Sequence, residues 1–251
     1  MIYDMTPSVV LLHGFTNTGH SWDRVIDALP DDADALAPDI RGHGDASAQR
    51  PVTLEAVIDD IDHIAPDPFT LVGYSMGGRI ALHVAFALSD RVARLVLIGA
   101  SPGLKTSTAR AERRASDAKL AERAENETIE RFAERWADTA VLADQPASVR
   151  DAADADRRRN DPAGLAAALR GLGTGTLPSL WSRLGSLEIP ATLVVGERDT
   201  KYREIAARMA EEMRSAEVVI VPGAGHAVHA EAPAAVADVI AGAASPVSPR
   251  R

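Results

Sequence analysis

Phe69-Thr70-Leu71-Val72-Gly73-Tyr74-Ser75-Met76-Gly77-Gly78-Arg79-Ile80-Ala81-Leu82 is the stretch from which the rest of the chain is best read. An apolar run, then Gly-x-Ser-x-Gly, then an apolar pattern at helical spacing predict a strand, a tight turn and a helix. In such a turn the serine stands at the top of a sheet in a strained backbone conformation, and Gly73 and Gly77 keep neighbouring atoms out of its way. Ser75 is therefore a candidate nucleophile or one end of a proton relay. A glycine-rich turn with an incidental serine is the alternative, and the motif by itself does not decide between them.

On either side of this stretch, strands and helices alternate. Ser8-Val9-Val10-Leu11-Leu12 is a short apolar run followed by the loop His13-Gly14-Phe15-Thr16-Asn17-Thr18-Gly19, as in a buried parallel strand. Ser21 to Leu29 has helical spacing with Ser21 as its cap, Asp34 to Asp39 is a weaker strand, and Arg41-Gly42-His43-Gly44-Asp45 is a loop. A helix over Thr53 to Ile64 places Leu54, Val57, Ile58 and Ile61 on one face; the helix after Ser75 extends to about Leu88, and Arg94 to Gly99 is a further apolar strand. Later come a strand over Ala191 to Gly196, a helix from about Tyr202 to Met213, a strand over Ala216 to Val221, and a last helix from near Pro233 to near Ala241. Nearly continuous apolar strands alternating with helices imply a mostly parallel sheet covered on both faces.

Between Ser101 and Pro190 the rhythm changes to Ala-, Glu- and Arg-rich helical patterns without a convincing strand. This reads as a helical insertion lying over the sheet end where the strand-to-helix loops gather. The expected organisation is a core of residues 1–100 and 191–245, a cap of residues 101–190, and a flexible tail of residues 246–251. At 251 residues the chain is long enough for one large α/β domain with such an insert. Its net charge of −9 argues against nucleic acid as a partner. The insert holds 14 basic and 14 acidic residues against 13 and 22 elsewhere, so the negative excess lies outside it. The chain has no cysteine, which removes thiol catalysis and thiolate metal sites. No apolar run has the length of a membrane span and no signal-peptide pattern opens the chain, so a cytoplasmic protein is expected.

Open parallel sheets carry their binding loops at the carboxyl ends of the strands. Ser75 follows one strand, Asp199 another in Gly196-Glu197-Arg198-Asp199, and His226 the last in Gly223-Ala224-Gly225-His226. In that order His226 takes the Ser75 proton, and Asp199 fixes the imidazole tautomer and stabilises the imidazolium. The backbone N–H groups of Phe15 and Met76 form a candidate oxyanion hole. Glu197 is an alternative acid and His229 an alternative base. His13 and His43, beside loop glycines, read as structural hydrogen bonders. No His/Asp/Glu cluster has metal-ligand spacing, so no metal is expected.

Over its full length the chain resembles the α/β-hydrolase-fold proteins. Within them it is similar to the MenH-type synthases of 2-succinyl-6-hydroxy-2,4-cyclohexadiene-1-carboxylate, of menaquinone (vitamin K2) biosynthesis. The resemblance is carried by Leu12-His13-Gly14-Phe15-Thr16, Gly73 to Arg79, Arg110-Ala111-Glu112-Arg113 with Ser116-Asp117, and Leu169 to Gly175 with Pro178-Ser179-Leu180-Trp181. Gly196 to Tyr202 and Gly225-His226-Ala227-Val228-His229 complete it. The family position of the acid matches Asp199. The resemblance implies a lyase that removes pyruvate from an enolpyruvyl cyclohexene by abstracting a ring proton, with the Ser75, Asp199 and His226 triad as the base and no cofactor or metal. It implies a small substrate with three carboxylates, for which forked guanidinium partners are apt. Arg79 lies one helical turn after Ser75; Arg113 and Arg157 match the family's two further substrate arginines. The Arg157 alignment rests on Asn-x-Pro at Asn160-Asp161-Pro162, and a shift nominates Arg158 or Arg159 instead. Tyr74 is expected as a pocket wall, and Trp136 as a cap aromatic facing the ring or packing within the cap.

The same triad serves carboxylesterases, thioesterases and carbon–carbon bond hydrolases, so these are the competing reading. Charge separates them: an apolar ester pocket is a costly place for three convergent arginines. A binding protein without catalysis has no need of the intact triad.

Overall fold

The computed structural model describes residues 8–139, 142 and 145–242. Its elements in order are β1 (Ser8–Leu12), α1 (Asp23–Ile26), β2 (Ala35–Leu36), α2 (Leu54–Ile64), β3 (Phe69–Tyr74), α3 (Met76–Ala87) and β4 (Val92–Ile98). Four helices follow, α4 (Ser107–Glu125), α5 (Ile129–Ala137), α6 (Ala147–Arg157) and α7 (Pro162–Leu172). The chain then returns to the sheet through β5 (Ala191–Gly196), α8 (Thr200–Glu212), β6 (Ala216–Val221), α9 (Val228–Glu231) and α10 (Pro233–Ile240). The expected tail of residues 246–251 lies outside the described residues.

Among the described residues the six strands are all parallel, in the order β2-β1-β3-β4-β5-β6. This is the α/β-hydrolase arrangement of a parallel sheet with helices on both faces. Successive residues of a strand point to opposite faces, and the two cores divide accordingly. Val10, Leu12, Leu71, Leu95 and Leu193 face α2, α3 and α8, joining Ile61, Ile80 and Met209. Val9, Leu11, Val72, Val96 and Val194 face the other side, with Trp22, Val25 and Val239. A third cluster joins Ala121, Ala124, Phe132, Leu165 and Leu169 of α4, α5 and α7.

Side-chain caps begin several helices, leaving fewer orphan N–H groups. Thr53 accepts from Ala56 N at 3.3 Å, Thr106 from Ala109 N at 3.1 Å, and Asp161 from Gly164 N at 2.9 Å ahead of Pro162. Near the N-terminus the structure differs from expectation. A 3-10 turn over Gly19–Trp22 precedes a one-turn α1, and Thr18 rather than Ser21 is the cap, accepting from His20 N at 3.3 Å. Ser21 Oγ instead donates to Thr18 O at 2.8 Å. The weak strand at Asp34 to Asp39 shrinks to two paired residues at the sheet edge, ending before Pro38, which has no N–H for a ladder.

The strand order reverses between β1 and β3. The chain runs outward from β1 to β2, then recrosses β1 to start β3, so the loops after β1 and β3 part to opposite sides and leave a crevice. Those loops carry Phe15 and Ser75.

Candidate active site

Ser75 is held at φ 51°, ψ −106°, a backbone conformation that L side chains rarely adopt. Its N–H donates to Ile98 O of the adjacent strand at 2.8 Å, and α3 starts at the next residue. The sharp turn requires close backbone approach: a Cβ on Gly77 would lie 2.1 Å from Leu12 O, and one on Gly73 2.5 Å from Gly77 O. Met76, as the first residue of α3, has an N–H with no intrahelical acceptor.

Ser75 Oγ lies 3.1 Å from His226 Nε2, and His226 Nδ1 donates to Asp199 Oδ2 at 2.6 Å. Asp199 is the N-cap of α8, its Oδ1 accepting from Tyr202 N at 3.3 Å. A bonded acid, imidazole and hydroxyl in this line can move a proton off Ser75. Neither alternative takes part in this line, although His229 also borders the cavity over Ser75. Glu197 accepts from Gly223 N at 2.8 Å, away from the imidazole. His229 is buried against Tyr74, ring centroids 4.1 Å apart, and Trp22, and burial pushes its pKa down to about 3. His13 is a buried strut: Nδ1–H donates to Gly14 O at 2.9 Å and Nε2 accepts from Ile40 N at 2.9 Å, tying the loop after β1 to the loop after β2. His43, also buried, is held well below the ordinary histidine value by desolvation.

A cavity of about 580 Å³ opens over Ser75. Phe15, Tyr74, Met76 and His226 line its floor, and residues of α4 to α7 its upper wall. Arg79, Arg113 and Arg157 all reach it. Arg79 is buried; one Nη donates to Leu172 O at 3.2 Å while its Nε has no partner. Burial, reinforced by the Arg113 charge, lowers its pKa to about 10, so it stays cationic at neutral pH. Arg113 Nε donates to the buried Asp117 Oδ1 at 2.7 Å, one turn along α4. Arg157, the last residue of α6, is 3% exposed with an unpartnered Nε, and burial lowers its pKa. Of its neighbours, Arg158 is turned to Asp154 and Glu134, and Arg159 is exposed at the cavity margin. Buried guanidinium N–H groups without acceptors are costly unless an anion completes them.

Trp136 both lines the cavity and packs, parallel to Phe132 at 6.0 Å and edge-on to Phe15 at 5.0 Å. Trp181 stands outside the lining, donating Nε1 to Gly103 O at 2.9 Å. The tyrosine Tyr74 is buried beside Arg157, and burial raises its phenol pKa. Sequence reasoning gave no role to Lys201 and Tyr202. Lys201 lines the cavity, and the Tyr202 ring lies 4.5 Å from that of His226. The signal was present: a lysine in the first turn of α8 opposes the helix dipole and needs another reason to be there.

Residues 9–239 match the model of the alpha/beta hydrolase family. The chain is 38% identical over 236 residues to the putative 2-succinyl-6-hydroxy-2,4-cyclohexadiene-1-carboxylate synthase of Bacillus subtilis (strain 168), covering 90% of this chain and 86% of that one. To the synthase of that name from Salmonella typhimurium (strain LT2) it is 35% identical over 243 residues, 94% of this chain and 93% of the other. Among solved structures, MenH from S. aureus superposes with a TM-score of 0.88 at 28% identity, covering 96% of this chain and 94% of its own.

Proposed function

The chain belongs to the alpha/beta hydrolase family and, within it, to the 2-succinyl-6-hydroxy-2,4-cyclohexadiene-1-carboxylate synthases, and from that premise we propose how it works as a carbon–oxygen lyase of menaquinone biosynthesis. Its substrate is 2-succinyl-5-enolpyruvyl-6-hydroxy-3-cyclohexene-1-carboxylate. Ser75 Oγ, its proton drawn to His226 Nε2, takes the proton of ring carbon C2, beside the succinyl ketone; the C–H electrons form the C2–C3 double bond, the former C3–C4 double-bond pair moves to C4–C5, and the C5–O bond to the enolpyruvyl group breaks. Pyruvate departs as its enolate and is protonated at carbon, the imidazolium of His226 being the acid at hand. Charge that develops on the succinyl ketone is held by the N–H groups of Phe15 and Met76. Asp199 keeps His226 in the tautomer that faces Ser75 and stabilises the imidazolium.

One observation carries this reading over ester hydrolysis: three arginines from α3, α4 and α6 converge on one cavity with Ser75, two of them, Arg79 and Arg157, buried. Three carboxylates supply the acceptors that a neutral ester lacks. Tyr74 and Trp136 then wall the ring. The purified chain, given the enolpyruvyl substrate, should release pyruvate, followed by NADH oxidation with lactate dehydrogenase. Hydrolysis of a neutral aryl ester faster than that release would overturn the proposal.

A further inference from the structure

The cap touches the floor of the site through a short segment, Asp156 to Asn160, and what it touches is the loop that follows Phe15. Asp156 is 6% exposed, and its Oδ2 accepts from Asn17 Nδ2 and from Thr18 N, both at 3.1 Å. Its Oδ1 accepts from Thr18 Oγ1. Asn160 is 5% exposed; its Nδ2 donates to Thr16 O at 2.8 Å and to Arg157 O at 3.1 Å, and its Oδ1 accepts from Gly44 N at 3.1 Å. Thr16, a β-branched residue, stands at φ 71°, where such residues are outliers that the surroundings must hold in place. Three consecutive residues after Phe15 are thus fixed by two side chains from the cap. Between those side chains lies Arg157, whose guanidinium enters the cavity.

We propose that Asp156 and Asn160 are positioning residues, one latch that sets both the aim of the Phe15 N–H and the entry of Arg157 into the cavity. The inference rests on the reading of Phe15 as an oxyanion donor and Arg157 as a carboxylate partner. Neither Asp156 nor Asn160 touches the reacting atoms. Asp156 supplies a desolvated acceptor for three donors, and Asn160 holds the Thr16 peptide in its unfavourable conformation.

The test is Asp156→Ala, Asp156→Asn and Asn160→Ala in the full chain. In Asp156→Asn the amide oxygen can take the place of Oδ2, accepting from Asn17 and Thr18 N, while the amide N–H donates to Thr18 Oγ1, so the latch survives without its charge. Two readouts are taken: pyruvate release, and amide hydrogen exchange of residues 14–18 against that of β3 and α3. Asp156→Ala should lower kcat at least tenfold, raise KM several-fold and speed exchange of residues 14–18 tenfold, with β3 and α3 unchanged. Asn160→Ala should lower kcat by a similar factor with KM within threefold, and Asp156→Asn should recover kcat to within fivefold of the parent. The proposal is overturned if kcat of the two alanine variants stays within twofold of the parent, if exchange of residues 14–18 does not change, or if Asp156→Asn is as impaired as Asp156→Ala. A parent chain that releases no pyruvate would remove the proposed reaction, and the exchange comparison would still decide whether the latch exists.

Discussion

Asp199 holds His226 with one oxygen and starts a helix with the other: Oδ2 accepts from the imidazole Nδ1 at 2.6 Å, and Oδ1 accepts from Tyr202 N at 3.3 Å. The carboxylate is fixed by α8, so the imidazole is aimed by an element rather than by a loose side chain. The two roles separate by substitution. Asp199→Asn keeps a capping oxygen but presents the wrong group, or the wrong charge, to Nδ1–H; kcat for pyruvate release should fall by roughly three to four orders of magnitude. Stability should change by less than about 1 kcal/mol, whereas Asp199→Ala also loses the cap and about 1 kcal/mol with it. Denaturant titration beside steady-state kinetics checks both, and an Asn variant that keeps a tenth of parental kcat would remove the role.

Ser75 stands at φ 51°, ψ −106°, where a side chain costs on the order of 1–3 kcal/mol. Ser75→Gly should relieve part of that strain, raising Tm by roughly 2–4 °C for each kcal/mol recovered, while abolishing pyruvate release. Calorimetry that found the glycine variant less stable than the parent would show the conformation to be unstrained.

Arg79 is buried with an unpartnered Nε. Arg79→Met keeps most of its volume and removes a desolvated charge, so folding stability should hold or rise. Pairing with a substrate carboxylate should be lost, lowering kcat/KM by about 2–5 kcal/mol, roughly thirty- to several-thousand-fold. A kcat/KM within threefold of the parent would sink the assignment.

Burial holds His83 down to about 4 and His229 down to about 3, both below the value of about 6.5 for an unfolded histidine. Between those limits the unfolded chain binds more protons than the folded one. Their contribution is therefore fully present above about pH 6.5 and shrinks as the pH falls toward the folded-state values, each at a rate approaching about 1.4 kcal/mol per pH unit. Urea unfolding at pH 7, 6 and 5 should show this decline, and His83→Leu should flatten it by about the share of one histidine. An unchanged slope in that variant would mean that His83 protonates without unfolding the chain.

The strands Ser8 to Leu12 and Ala191 to Gly196 were legible in the sequence to the residue because strands buried on both faces are nearly continuously apolar, and Ala216 to Val221, an edge strand with Glu217 exposed, by its run of valine and isoleucine. The region of α1 was not, since a 3-10 turn and a short helix share the spacing of one longer helix, and only the Thr18 bond shows where the turn starts. Ser75, Asp199 and His226 each follow a readable strand, so they could be picked from separate loops. Among the three consecutive arginines, burial distinguishes Arg157 from Arg158, which is bonded to Asp154; the residue spacing is the same for all. Asp156 and Asn160 were out of reach altogether: their partners Thr18 and Thr16 lie 138 and 144 residues away, and no local pattern records such bonds.

The segment carrying α4 to α7 leaves from the end of β4 and returns on β5, and these strands lie side by side, Ile98 opposite Val194. The sheet asks of it that it depart and come back between neighbours and that it fill the places of Ala168, Leu172, Leu180 and Leu184 in the core they share with the strands. Descent can therefore exchange this segment whole, as a cassette, and change what the cavity recognises while Ser75, Asp199 and His226 keep their spacing on the loops after β3, β5 and β6. Any replacement inherits one obligation from the loop beneath it: a carboxylate or amide where Asp156 stands, and an amide where Asn160 does.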